Sequence, residues 1–233
     1  MYKYKTKYYE ILDKENKITK DMINKCSYAY DRNKRFFGKD CKFFQIKVIN
    51  SENKFKTLLG KIYQPWIKGE QFRGKLIVMR GPKLYKKCYT KFGGTSEYQI
   101  LLTHEINHIF ANQLNLFKGP FWFVEGLAMY VAGQIPGKTY KKKINYTKGR
   151  VRYLMFYRFI IKKLADDMYI PHYYSIKYLI TKYGKIRLMK LISSYSKNMK
   201  KKTFENNFKK IYNISYNGYI KDFISKFVLE NKI

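Results

Sequence analysis

The chain has 233 residues and a formal charge of +33, from 49 Lys and Arg against 16 Asp and Glu. With 45% hydrophobic and 18% aromatic residues it can bury a sizeable core, which excludes a disordered basic tail. The three cysteines, Cys26, Cys41 and Cys88, have no C-x-x-C spacing, which argues against a disulfide framework and for a reducing compartment.

The amino terminus, "MYKYKTKYYE", lacks the apolar stretch of a signal peptide, so a cytoplasmic location is expected. The longest strongly apolar run, "GPFWFVEGLAMYVAG", carries Glu125 and is too short to span a bilayer, so no transmembrane segment is expected. The charge invites a nucleic-acid reading. Lys, Asn, Tyr and Ile all have AT-rich codons, however, and the basic residues are spread along the chain, with short clusters at 141–143 and 200–202. A solvated basic surface is therefore the first expectation, and an acidic or nucleic-acid partner the second.

In chain order, residues 2–12 alternate loosely and predict a first strand. "ITKDMINKCSYAYDRNKRFFG" has helical periodicity, with Gly38 as its C-cap. "CKFFQIKVIN" reads as a strand, and Ser51 as the N-cap of a short helix. "GKLIVMRGP" is a third strand, closed by Gly81-Pro82. After Gly93-Gly94, Ser96 and Gln99 form a capping box for a helix over 96–114, whose apolar positions suit packing on the sheet. Gly119-Pro120 ends that part. Beyond it the chain lacks strand signals, and helices are predicted near 121–132, 149–165, 172–183, 185–197, 202–211 and 215–229. The expectation is an α+β fold: an N-terminal α/β part (1–119), then a helical part (120–233), forming one catalytic unit with a cleft between.

The helix over 96–114 carries "HEINH". The chain has only three histidines, yet His104 and His108 stand four apart, one turn along the same helical face. Two imidazoles so placed can chelate one metal ion with Glu105 beside them, the H-E-x-x-H arrangement of zinc peptidases. A catalytic zinc takes three protein ligands and keeps one position for water. His172 lies 64 residues on, outside any ligand motif. The better third ligand is Glu125, 17 residues after His108 and the lone acid in an apolar run, where an unpaired carboxylate is costly. The plainer alternative makes Glu125 a first-turn carboxylate favoured by the helix dipole. Gly126 would let the two helices approach closely, and Asn107 faces away from the metal.

His104-Glu105-x-x-His108 followed by "WFVEGLAMY" resembles the gluzincins, zinc peptidases with a glutamate third ligand. It resembles most the small peptidase MA-like family, whose second motif, P-x-W-L-x-E-G-L-A-x-Y, is matched by Pro120, Trp122, Glu125, Gly126, Leu127, Ala128 and Tyr130. "QPWIKGEQFRGKLIVMRGP" and "YSIKYLITKYGKIRLMKLI" resemble that family's approach to the metal helix and its later helical pair. The G-x-M-E-N motif of the larger aminopeptidases is absent.

The resemblance implies a zincin-like fold, with a small twisted mixed sheet and an active-site helix, and one Zn2+ per chain on His104, His108 and Glu125. It implies an endopeptidase acting on a peptide or protein substrate, with Glu105 as general base. Gluzincins also use a downstream tyrosine or histidine against the developing oxyanion. Tyr173 is the candidate here, with Tyr169, His172 and Tyr174 as alternatives. The segment 84–92 is expected to be an edge strand to which an extended peptide adds itself. The competing reading is a polyanion- or nucleic-acid-binding protein on a zincin scaffold whose catalysis is subordinate or lost.

Overall fold

The structure, a computed structural model, describes residues 1–64, 67–81, 95–134, 146–156, 162–197 and 199–230. Expected elements within 82–94, including the edge strand at 84–92, fall outside those residues, as does Cys88. Two compact units are present: residues 1–113 with 131–133, and residues 114–130 with 134–233.

The first unit is built on a five-stranded mixed sheet of order β1-β2-β3-β5-β4. Its strands are β1 (Tyr2–Lys5), β2 (Tyr9–Asp13), β3 (Phe44–Ile49), β4 (Gly69–Phe72) and β5 (Leu76–Arg80). β2, β3 and β5 run parallel, and β1 and β4 are antiparallel edges. The single strand expected over 2–12 is thus two. The Thr6 hydroxyl accepts from the backbone N–H groups of Tyr8 and Tyr9 at 3.1 and 3.0 Å, closing a turn that folds the segment back on itself. β4 was not expected as a separate strand. It joins β5 through a turn in which Arg73 and Gly74 have φ of 52° and 66°.

Among the described residues, three helices flank the sheet: α1 (Lys20–Phe37), α2 (Glu52–Leu59) and α3 (Thr95–Gln113). Thr19 caps α1 by accepting from Met22 N–H, and Gly38 ends it at φ 70°, donating to the Lys34 carbonyl. Ser51 caps α2 as expected. Tyr9, Ile11, Phe44, Ile46, Ile77 and Met79 share one buried sheet face through the strand register. The Tyr9 ring meets Tyr30 of α1, and Tyr30 and Phe37 meet Phe110 of α3. On the other face, Phe55 and Leu59 of α2 pack on Val78. Cys26 and Cys41 are buried free thiols, and burial pushes both up, Cys41 to about 12.

The second unit is helical: α4 (Phe121–Ala132), α5 (Lys148–Phe156), α6 (Lys162–Tyr183), α7 (Lys185–Ser193), α8 (Lys201–Tyr212) and α9 (Tyr216–Glu230). Its core is aromatic. Trp122 donates to the Tyr216 hydroxyl at 2.8 Å and stacks on Tyr216 and Tyr219, while Phe123 stacks on Tyr195. The protein is therefore α+β with a mainly helical C-terminal half, as the sequence suggests. No helix among the described residues is long and apolar enough to cross a membrane.

Candidate metal centre

α3 is held in rotation by its back face. Asn33 of α1 donates to the carbonyls of Ala29 and Thr103, both at 2.9 Å, and Asn107 donates to Asn33 Oδ1 at 2.8 Å. Asn107 points towards α1, and this buried amide pair joining α1 to α3 has no local signal in the sequence. With Asn107 fixed against α1, the helical step of 3.6 residues per turn sets His104 and His108 about a quarter turn round the same helix.

The two histidine rings stand edge to face at 86°, and their Nε2 atoms lie 3.0 Å apart. Two ligands of one tetrahedral zinc, each ~2.0–2.1 Å from it, lie roughly 3.3 Å apart, so this spacing fits a shared ion. One ligand atom each from His104, His108 and Glu125 lies within 4.8 Å of the others, and all three residues are buried. Two imidazoles and one carboxylate suit a divalent cation with a position left open. Glu125 is not a surface first-turn acid, and a cation held there stabilises its buried charge.

Glu105 is outside that group of three. It is buried, and its side chain lies against the backbone of β4: a Cβ added to Gly69 would meet Glu105 Cγ at 3.0 Å and Oε1 at 3.3 Å. Gln113, at the end of α3, donates to the Gly74 carbonyl in the β4–β5 turn at 3.0 Å, tying that hairpin to the same helix. Gly69 was missed in the sequence, where it reads only as the opening of a short polar segment.

The helix carrying Glu125 is fixed by Trp122 and Phe123 in the aromatic core and by Gly126. A Cβ on Gly126 would overlap the His172 carbonyl oxygen and come within 2.7 Å of Ile176 Cγ1. The close approach anticipated at Gly126 is real, but the neighbour is α6. Gly126→Ala gains about 1 kcal/mol of helix propensity and forces α4 from α6. We expect a net loss of about 2–3 kcal/mol, measured by urea unfolding.

His172 is fully buried, packs edge to face with Phe121 and donates Nε2–H to the Leu154 carbonyl at 3.1 Å. Burial lowers its pKa from 6.5 to about 4. The unfolded chain therefore binds a proton that the folded chain refuses between those values, and stability falls as pH drops through that window. The contribution is about 3 kcal/mol between pH 7 and pH 4. Urea unfolding across that range should show a shallower pH slope for His172→Gln than for wild type. Tyr173 is buried against Tyr130 and Tyr174, and burial raises its pKa. Tyr174 packs on Phe227, and Tyr169 is partly buried one turn before Tyr173.

No protein-family model matches the chain, and a search of curated proteins finds no match.

Proposed function

We propose that the protein is a zinc-dependent metallopeptidase of the gluzincin type, an endopeptidase acting on peptide or protein chains. The observation that carries this reading is the convergence of His104, His108 and Glu125 beside a glutamate, Glu105, that is not part of the group. Zinc held there supplies a Lewis acid that polarises the scissile carbonyl and brings the pKa of water towards ~7. Glu105 accepts the proton of the attacking water and returns it to the leaving nitrogen. Its contact with Gly69 restricts the carboxylate, so little ordering remains when the substrate arrives. Tyr173, a phenol protonated at neutral pH whose pKa burial raises further, is the residue assigned to donate to the developing oxyanion.

The test is elemental analysis of the purified protein with hydrolysis of an unfolded protein substrate. One zinc per chain is expected, with cleavage lost on chelation and restored by stoichiometric zinc. Cleavage that persists in metal-free protein overturns the reading.

A further inference from the structure

We propose, resting on the metal reading above, that Arg32 of α1 is a positioning residue for the metal centre. It anchors the end of the Glu125 helix to the same stretch of α1 that holds the two histidines. The three ligands come from two helices, α3 and α4, so their spacing depends on what ties those helices to a common element. α1 supplies that element. Asn33 donates to the Thr103 carbonyl and accepts from Asn107, the residues immediately before His104 and His108. Its neighbour Arg32, one residue and about 100° round α1, donates Nε–H to the Val131 carbonyl in the last turn of α4. Val131–Gly133 belong to the same compact unit as α1 and α3. Two consecutive side chains thus grip both ligand-bearing helices.

The contact at Val131 has a physical cause. The last carbonyls of a helix lack partners within it and carry the negative end of its dipole. α4 closes with Gly133 at φ 70° and with Gln134 N–H donating to the Met129 carbonyl at 2.9 Å, the bond of a Schellman turn. Arg32 brings a donor to Val131 and a cation to the helix end. The guanidinium is itself held, because Nη1 donates to the Tyr28 hydroxyl at 2.8 Å, one turn back along α1. A Cβ on Gly133 would meet Nη2 at 3.0 Å, so the fork lies against the glycine turn. Glu125 stands six residues, roughly 9 Å of helix axis, before Val131. α4 is continuous between them, so a shift of its end carries to the carboxylate.

Charge and tether act in opposite directions on the metal. A cation near the site repels a dication, so losing the Arg32 charge alone would tighten metal binding. Losing the tether frees Glu125 from its register with the histidines and weakens binding. The sign of the change therefore separates the two effects.

The test is the zinc dissociation constant of the full chain, measured by competition with a chromophoric chelator. The visible spectrum of the cobalt(II) form, which reports ligand number and geometry, is recorded beside it. Arg32→Met removes the donors and keeps the aliphatic stem, while Arg35→Met removes equal charge from an exposed position three residues on. Arg32→Met should weaken zinc about tenfold and shift the cobalt spectrum towards that of Glu125→Ala, whereas Arg35→Met should stay within about twofold of wild type. Arg32→Lys restores a cation and one donor and should recover part of the loss. Should circular dichroism show Arg32→Met to be misfolded, Tyr28→Phe carries the test. It removes one hydroxyl from an exposed ring and should weaken zinc about threefold. Wild-type or tighter affinity in Arg32→Met overturns the proposal and leaves the metal reading standing, as do equal losses in Arg32→Met and Arg35→Met. Weaker binding with an unchanged cobalt spectrum also overturns it, since Arg32 would then be a helix cap and no more. Wild-type protein that takes up no stoichiometric zinc overturns both.

Discussion

Glu105→Gln is expected to give a protein that holds a full equivalent of zinc and cleaves peptides about a thousandfold more slowly, or worse. The substitution is close to isosteric, so the amide fits the same space against Gly69 and leaves α3 undisturbed. What it lacks is a basic oxygen. Without a proton acceptor the attacking water must lose its proton unaided, which costs about 4 kcal/mol for each thousandfold in rate. The loss should fall on kcat, because the residue acts on the water and not on the bulk of the substrate. Retention of metal is the second half of the prediction, since Glu105 is outside the group formed by His104, His108 and Glu125. Wild-type turnover in the zinc-loaded variant would remove Glu105 from the mechanism. Loss of zinc with loss of rate would make it a ligand instead.

The parts of this arrangement legible in the sequence are those whose causes are local. His104 and His108 are one turn apart whatever surrounds the helix, and Gly38 and Ser51 mark helix ends by side-chain chemistry that acts within four residues. The two strands within 2–12 read as one because alternation continues through "KTKYY" and hides the Thr6 hydroxyl turn, although its bonds to Tyr8 and Tyr9 N–H are local. β4 was missed because "GEQF" has weak strand propensity and its turn places an arginine at φ 52°, where Asn or Gly is the usual signal. Asn33 and Asn107 are 74 residues apart, and nothing near either one announces the other. Gly126 shows the intermediate case. A glycine beside a ligand predicts a close approach, but only the fold decides which helix makes it.

The ligand assignment predicts that zinc stabilises the wild-type protein and fails to stabilise a ligand variant. Zinc at a thousand times its dissociation constant adds about 4 kcal/mol to the folded state, on the order of 10 °C in Tm for a chain of this length. His108→Ala removes one of two nitrogens that lie 3.0 Å apart, leaving one imidazole and one carboxylate, too few for a tight tetrahedral site. Added zinc should then leave Tm unchanged, and dialysis against a weak chelator should leave no stoichiometric metal. Glu125→Ala is the more discriminating variant, since the histidine pair stays intact. With Glu125 as a ligand, affinity falls by orders of magnitude while the metal-free protein keeps its fold, because Trp122, Phe123 and Gly126 anchor α4. Unchanged zinc affinity in Glu125→Ala would reduce the centre to a two-histidine helix and overturn the gluzincin assignment. A large loss in that variant together with full metal in Glu105→Gln would separate the two glutamates by role, one holding the ion and the other moving the proton.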